Sequence, residues 1–128
     1  MKYREIRYKD TLNKYSVIIG DNILSILPKK IEECCPKTQK IALIIDGKVP
    51  KKFKKILSIK LKKYKLFFLS FKASEKNKTI KTASFFVSKL LSKNLNRSDL
   101  VIAVGGGITG DLVGFVASIF KRGINFIN

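Results

Sequence analysis

Three uninterrupted apolar runs, each followed by a stretch with helical periodicity, most constrain what this chain folds into. The runs are residues 41–45, 66–69 and 100–104. Short continuous apolar runs are typical of strands that are covered on both faces, and such strands occur in parallel sheets. Because parallel strands need long crossover connections, the alternation predicts an α/β chain whose parallel sheet is flanked by helices.

The stretches after these runs have the periodicity of about 3.6 residues that amphipathic helices show. Residues 49–63 and 79–93 each carry an apolar stripe, and residues 110–121 are apolar on nearly every face, which predicts a buried helix. Residues 124–127 then have the composition of a further strand. The predicted inward side chains of the first two helices are Phe53, Ile56, Leu57 and Leu61, and Ala83, Phe86, Val87, Leu90 and Leu91.

The start of the chain has a different pattern, with short β-prone runs around a turn. Residues 3–8 and 15–19 flank the turn-forming segment 10–13, and this arrangement predicts an N-terminal β-hairpin. The sequence contains no internal repeat and no low-complexity linker. We therefore expect residues 1–128 to form one domain.

A helix is expected between the hairpin and the first apolar run. Asp21 or Asn22 is its predicted N-cap, and its apolar residues recur at helical spacing as far as Cys35. Pro28 is compatible either with the first turn of this helix or with a position in its interior. Cys34 and Cys35 are too few for a tetrahedral metal site, so we expect small buried apolar side chains with reduced thiols.

The charge is strongly positive, with 27 Lys+Arg against 9 Asp+Glu and a formal net charge of +18. A basic chain of this kind is compatible with a nucleic-acid partner. Few of the cations are arginines, which are the residues that contact phosphate and guanine through two hydrogen bonds, and no basic strand has interleaved aromatic residues. The composition therefore favours a solvated lysine surface, and nucleic-acid binding remains the less favoured alternative.

The chain contains no histidine, which excludes several kinds of chemistry. Nucleophile pairs of the Ser-His or Cys-His type and zinc sites with histidine ligands all require imidazole. The N-terminus has no apolar signal-peptide core, and no apolar run approaches the length of a membrane span. We therefore expect a cytoplasmic protein without a membrane partner.

The glycine-rich segment 105–111 lies between a predicted buried strand and a predicted helix. Glycines there allow a ligand to approach the backbone, and the N–H groups of a first helical turn can bind a pyrophosphate. The pattern is weak by itself, because a glycine turn built for tight strand-to-helix packing has the same appearance. Gly110, Gly114 and Ser118 form a small-residue stripe on the helix. Asp111 either complements the helix dipole or hydrogen-bonds a ligand.

A longer pattern around this loop is more specific. Residues 100–117 read LVIAVGGGITGDLVGFVA, and residues 121–124 read KRGI. Together they closely resemble the GGGxxGDLxGFxA signature, with a following RGI, of the 3-dehydroquinate synthase family of sugar-phosphate cyclases. Residues 15–20 resemble the opening strand of that family. Residues 75–78 resemble its G-E-x-x-K segment, with Ser74 in place of the glycine.

The resemblance implies a Rossmann-like NAD-binding N-terminal domain, truncated before a C-terminal helical domain that binds the metal. The segment 73–78 would contact the adenosine side of NAD, with Glu75 accepting from ribose hydroxyls. The segment 107–111 would hold the pyrophosphate and the nicotinamide side. Arg122 would contact the substrate phosphate in a neighbouring subunit, whereas an arginine that caps the helix C-terminus is the alternative. The residues implied to contact NAD are Asp46, Ala73, Ser74, Glu75, Lys76, Asn77, Lys78, Gly107, Ile108, Thr109, Gly110 and Asp111.

The family reaction converts 3-deoxy-D-arabino-heptulosonate 7-phosphate to 3-dehydroquinate and phosphate, which makes the enzyme a lyase of the shikimate pathway to chorismate and aromatic amino acids. The resemblance also implies a homodimer and a zinc or cobalt ion, whose ligands lie in sequence that this chain lacks. We therefore expect a fragment without catalytic residues or activity of its own. The alternatives are another sugar-phosphate cyclase and a stand-alone nucleotide-binding module.

Overall fold

The computed structural model describes residues 2–128 and opens with the predicted β-hairpin. Strands β1 (Tyr3–Lys9) and β2 (Lys14–Gly20) pair antiparallel. Asp10 fixes the turn, because its Oδ1 accepts from the backbone N–H groups of Leu12 at 2.7 Å and Asn13 at 2.6 Å. These two hydrogen bonds, with a third from the Tyr8 hydroxyl, lower the pKa of Asp10 to about 2.

The helix after the hairpin begins with a 3-10 turn, Ile23–Ile26, and continues as α1 (Leu27–Cys34). Pro28 lies in the first turn of α1, where its missing N–H has no cost. The prediction that Pro28 marks the first turn of this helix, and not its interior, is confirmed. The capping prediction is wrong for Asn22, which has φ 55° and makes no side-chain cap. The expectation of a buried thiol is also wrong for Cys34, which is exposed at the helix end.

The predicted parallel sheet is confirmed within residues 2–128, and its order is β4-β3-β5-β6. Each crossover contains a helix, as the sequence periodicity predicts. The strands are β3 (Lys40–Asp46), β4 (Lys65–Phe71), β5 (Leu100–Val104) and β6 (Asn125–Ile127), and the crossover helices are α2 (Lys51–Lys60), α3 (Ile80–Ser92) and α4 (Gly107–Ile119).

The sheet separates two apolar layers, because successive side chains of a strand point to opposite faces. Ile41 and Leu43 of β3 pack in the layer that contains residues of α1 and α2. Ala42 and Ile44 pack in the layer that contains residues of α3 and α4. The continuous apolar runs of the sequence are therefore explained by burial on both faces of the sheet.

Two predictions of burial are wrong: that Leu91 of α3 faces inward, and that α4 is buried on nearly every face. Leu91 of α3 is 49% exposed, and Phe115 and Ile119 of α4 are 43% and 47% exposed. Helix α4 buries Val113 and Val116 against the sheet, but its flank beyond α3 is open to solvent. Helix α4, which is apolar on nearly every face, is thus only partly covered by the described residues.

Asp99 connects the starts of two neighbouring strands. Its carboxylate, which is 3% exposed, accepts from the backbone N–H groups of Gln39 at 3.1 Å, Lys40 at 2.9 Å and Asn96 at 2.8 Å. A buried carboxylate needs such donors to offset its lost hydration. This interaction aligns β3 with β5 and leaves their opposite, carboxyl ends side by side.

Candidate nucleotide-binding site

A crevice is expected between the carboxyl ends of β3 and β5, because the chain leaves these adjacent strands in opposite directions. From β3 it crosses to β4 on one side, and from β5 it crosses to β6 on the other. Open α/β sheets bind ligands at such a switch point. Asp46 ends β3 and Gly105 follows β5, and a Cβ added to Gly105 would lie 3.1 Å from the Asp46 Cβ.

The three glycines of the loop have different surroundings. A Cβ at Gly105 would lie 2.7 Å from the Thr109 Oγ1, so this glycine is required for tight packing. At Gly106 and Gly107 an added Cβ would meet no atom within 4 Å. Their φ values do not require glycine either, since neither lies in the left-handed region. The packing explanation therefore accounts for Gly105 and leaves an open backbone surface at Gly106 and Gly107.

Helix α4 begins at Gly107, three residues before the predicted start at Gly110. Gly106 is its N-cap residue, and the Gly106 carbonyl accepts from the Gly110 N–H at 3.0 Å. Asp111 therefore lies beyond the first turn, and the expectation that it complements the helix dipole there is wrong. The N–H groups of the first turn face the crevice side of the sheet with no acidic residue among them.

Thr109 is buried in this loop without a partner for its hydroxyl. The residue is 0% exposed, and among residues 2–128 its Oγ1 has no hydrogen-bond partner. An unsatisfied buried hydroxyl costs about 1–3 kcal/mol, so such groups usually serve a ligand or an ordered water. Its position beside Gly105 fits a site built for a polar ligand.

The loop after β4 forms the second wall of the crevice. Residues Glu75–Asn77 make a 3-10 turn whose N-cap is Ser74, and the Ser74 Oγ accepts from the Asn77 N–H at 3.2 Å. The Asn77 Nδ2 donates to the Lys72 carbonyl at 2.8 Å. Ser74 has φ −160° and ψ 157°, an extended conformation that any residue adopts. The serine that replaces a glycine of the family pattern therefore causes no backbone strain.

An ion pair joins the two walls. Lys78 Nζ donates to Asp111 Oδ2 at 2.9 Å, and this hydrogen bond raises the pKa of Lys78. A cavity of about 220 Å³ lies directly beside the pair. Its lining residues are Lys78, Thr79, Ile80, Asp111, Leu112 and Phe115. The structure thus brings together Asp46 and the two predicted segments, 73–78 and 107–111.

Arg122 is not part of this cluster. It follows the C-terminus of α4, and a helix of 13 residues is about 20 Å long, so Arg122 lies at the opposite end of the sheet from the glycine loop. Both Lys121 and Arg122 have positive φ, at 45° and 65°. The described structure gives the Arg122 side chain no hydrogen bond to the α4 carbonyls, so the capping alternative is not supported.

Within residues 2–128 the structure contains no group of three or more His, Cys, Asp or Glu side chains that could hold a metal ion. The described helices are also too short or too polar to cross a membrane. The chemistry of the cluster is therefore that of backbone amides, hydroxyls and carboxylates around a crevice.

Solved structures of two different synthases share this architecture. A 2-deoxy-scyllo-inosose synthase complexed with carbaglucose-6-phosphate, NAD+ and Co2+ superposes with a TM-score of 0.83 at 22% identity, over 96% of this chain and 33% of its own. The 2-epi-5-epi-valiolone synthase of Streptomyces hygroscopicus, with NAD+ and Zn2+ bound, has a TM-score of 0.64 at 24% identity, over 70% and 26%. At these identities the likeness establishes the fold alone, an α/β sheet with helical crossovers.

Sequence comparison identifies the family more closely. Residues 68–128 match the family model described as 3-dehydroquinate synthase N-terminal. The 3-dehydroquinate synthase of Pelagibacter ubique is 41% identical over 97% of this chain, and that of Clostridium acetobutylicum is 38% identical over 90%. The chain belongs to the 3-dehydroquinate synthase family. It spans about a third of the length of these relatives, 34% and 33% respectively.

Proposed function

We propose that this chain supplies part of the NAD-binding site of a 3-dehydroquinate synthase. The observation that carries the proposal is the unpartnered buried hydroxyl of Thr109 beside the open backbone of Gly106 and Gly107. A dinucleotide offers phosphate oxygens and hydroxyls, which are the groups that backbone N–H donors and a threonine hydroxyl recognise. The sequence similarity to 3-dehydroquinate synthases supports the same ligand.

Residues on both walls of the crevice would hold the cofactor. The first turn of α4, which begins at Gly107, would donate free N–H groups to the pyrophosphate, and the segment 107–111 would also contact the nicotinamide side. Glu75 would accept from ribose hydroxyls within the segment 73–78, and Asp46 would contact the adenosine. When bound, NAD+ would supply the capacity for hydride transfer to and from the substrate. The role of the chain is to bind and orient the cofactor at the sheet edge.

The complete enzyme would convert 3-deoxy-D-arabino-heptulosonate 7-phosphate to 3-dehydroquinate and phosphate. That reaction also needs the divalent metal, zinc or cobalt, and the described residues provide no site for it. We therefore expect the 128 residues alone to show no turnover. Purified chain that converts the sugar phosphate without an added partner fragment would contradict this expectation.

The proposal includes a cytoplasmic homodimer in which Arg122 reaches the substrate phosphate bound by the other subunit. The position of Arg122 supports this, because it lies about 20 Å from the glycine loop of its own chain and is exposed. A guanidinium suits the role, since it can form two parallel hydrogen bonds to a phosphate. Free cysteines at positions 34 and 35 fit a reducing compartment.

Another sugar-phosphate cyclase is the second candidate, because two such synthases share the fold. A stand-alone nucleotide-binding module is the candidate that is not an enzyme. Such a module would bind NAD+ without a catalytic domain. Joining this chain to the remaining two thirds of a family member distinguishes the three. Restored dehydroquinate formation supports the synthase, another cyclised product supports the second candidate, and binding without any turnover supports the module.

Nucleic-acid binding is tested by a matched pair of substitutions and a salt series. We expect Gly107→Leu to abolish NAD+ binding measured by calorimetry, because its side chain would occupy the open backbone surface. Lys→Gln changes at Lys51, Lys55 and Lys60 on α2 should leave that binding unchanged. Binding to random DNA that weakens steeply with salt, together with no affinity for NAD+, would contradict the proposed function.

A further inference from the structure

Helix α4 is followed by a turn, residues 120–123, whose backbone is strained at its two central positions. The Gly123 N–H donates to the Phe120 carbonyl at 2.8 Å, which closes the turn. Lys121 has φ 45° and ψ 40°, and Arg122 has φ 65°. Turns with positive φ at both central positions are dominated by Gly, Asn and Asp, because a Cβ disfavours that conformation. A lysine followed by an arginine is therefore an unfavourable choice for this backbone.

Buried residues fix the two ends of the 120–123 turn. Phe120 and Ile124 are both buried and pack in the apolar layer that contains residues of α3 and α4. Gly123 has φ 116°, a backbone conformation that residues with side chains rarely adopt. Between these anchored ends, Lys121 and Arg122 are exposed. The turn thus presents two adjacent cationic side chains at the end of α4.

Two cationic side chains connect the 120–123 turn to the loop before β5. Lys121 Nζ donates to the carbonyl of Leu95, a fully buried residue, at 2.9 Å. Arg97 Nε donates to the Gly123 carbonyl at 3.0 Å. One bond comes from the residue before Arg122, and the other reaches the residue after it. Strained backbone persists where such contacts fix it, and it is concentrated at functional sites.

The Arg122 side chain differs from those of its two neighbours in this arrangement. It is exposed, and within the described part of the chain its guanidinium has neither a hydrogen bond nor an ion pair. A guanidinium binds a phosphate through two parallel hydrogen bonds, which requires a defined position. A backbone that is fixed in advance reduces the entropy lost on binding. The turn therefore has the properties of a support for a phosphate-binding arginine.

We propose that Lys121 and Arg97 are positioning residues for the contact of Arg122 with the substrate phosphate. The inference rests on the proposed function, which assigns that contact to Arg122. The two hydrogen bonds hold the 120–123 turn with positive φ. Without them the backbone of Lys121 and Arg122 would relax toward the more populated regions of φ and ψ, and the guanidinium would move. Neither Lys121 nor Arg97 would touch the substrate.

Nuclear Overhauser effects in the 128-residue chain test the conformational step. A residue with positive φ has its N–H close to its own Hα and gives a strong intraresidue signal. We expect this signal from Lys121 and Arg122 in the unmodified chain and its loss when Lys121→Met and Arg97→Met are combined. Lys40→Met is the control, because Lys40 Nζ donates to the Asn94 carbonyl, next to Leu95, at 2.8 Å and outside the turn. A signal retained in the combined variant would overturn the proposal.

Steady-state kinetics test the positioning role in the enzyme made by joining this chain to the remaining two thirds of a family member. We expect Lys121→Met to raise KM for the sugar phosphate about tenfold, the effect of one lost charge-assisted hydrogen bond. Arg97→Met should act in the same way. The value of kcat and the affinity for NAD+ should be unchanged, because the phosphate is held equally before and during the reaction. Lys40→Met should leave KM unchanged. A merely structural role would lower the amount of active enzyme and would not raise KM.

A double-mutant cycle shows whether Lys121 acts through Arg122. We expect Arg122→Gln to raise KM about a hundredfold, since it removes two hydrogen bonds to the phosphate, and Lys121→Met to add nothing in that background. Additive effects, or an unchanged KM in Lys121→Met where Arg122→Gln raises it, would overturn the positioning role alone. An unchanged KM in Arg122→Gln, or no turnover by the joined enzyme, would overturn the proposed function and this inference together.

Discussion

Lys78 and Asp111, which are 33 positions apart in the sequence, form a 2.9 Å ion pair across the mouth of the crevice. The pair links the loop that follows β4 to helix α4, and the two segments contain most of the residues expected to contact NAD. Both side chains are partly exposed, so the pair contributes little to global stability. We expect the ion pair instead to hold the loop after β4 in position beside α4.

Replacing Lys78 by Gln should therefore weaken NAD+ binding without a measurable change in the thermal midpoint. We expect a loss of affinity of about tenfold, the size of one lost charge-assisted contact. Calorimetric titration with NAD+ and thermal unfolding together measure the two effects. Lys81→Gln, a neighbouring change in α3, is the control and should retain full affinity.

The raised pKa of Lys78 also predicts the pH range over which the ion pair with Asp111 is intact. A lysine whose folded pKa is raised stabilises the native state fully below its ordinary value of 10.5 and loses that effect as pH rises through the folded value. The ion pair should thus be intact at neutral pH and be lost only in alkaline solution. Protection factors of the Asn77 and Lys78 amides, that is, exchange rates corrected for their intrinsic dependence on pH, that fall already near neutrality would contradict this.

Two glycine substitutions should separate packing from binding. Gly105→Ala introduces a Cβ 2.7 Å from the Thr109 Oγ1, so we expect a loss of about 1–3 kcal/mol in the free energy of unfolding. Gly106→Ala meets no atom within 4 Å and should leave stability nearly unchanged while reducing affinity for NAD+. Urea unfolding and NAD+ titration of both variants give the comparison. Equal stability of the two variants would show that the close contact at Gly105 is not restrictive.

Thr109→Val should have opposite effects on stability and on binding. Valine has the shape of threonine and lacks the unpartnered hydroxyl, so the free energy of unfolding should rise by about 1 kcal/mol. Affinity for NAD+ should fall, because the hydroxyl is the expected polar contact. A variant that is destabilised and binds NAD+ normally would mean that the hydroxyl has a structural partner instead.

The hairpin turn should respond to acid in a narrow range. The pKa of Asp10 is lowered from its ordinary value of 3.8 to about 2 by backbone N–H donors. A carboxyl with a lowered folded pKa stabilises the fold above its ordinary value, and this effect is lost as pH falls from 3.8 to about 2. The amide resonances of Leu12 and Asn13 should shift over that range. In Asp10→Asn the same resonances should no longer titrate.

The elements that the sequence predicts correctly are those with a local cause. The apolar runs 41–45 and 100–104 are buried on both faces, and Pro28 lies in the first turn of a helix because its ring fixes a helical φ. The exposure of Phe115 and the pairing of Lys78 with Asp111 depend on where α3 and α4 pack. Such relationships join residues distant in the chain, and periodicity carries no information about them.

The site residues follow the same division. The glycine loop was predictable because strand, turn and helix follow one another within 105–111, although α4 starts three residues earlier than the pattern indicates. The buried hydrogen bonds from the Gln39 and Lys40 N–H groups to the Asp99 carboxylate are not predicted from the sequence, because an aspartate in a turn is normally solvent-exposed. Its only signal is its position immediately before a buried strand.

The central claim, that the carboxyl edge of the sheet binds NAD, is tested most directly by amide chemical shifts during a titration with NAD+. A chain of 14.5 kDa gives resolved two-dimensional spectra, and millimolar NAD+ allows for weak binding by part of a site. We predict saturable shifts at Asp46, in the segment 73–78 and from Gly105 to Asp111. Shifts confined to the opposite end of the sheet, around Arg97 and Gly123, or no shifts at any of these positions, would contradict the claim.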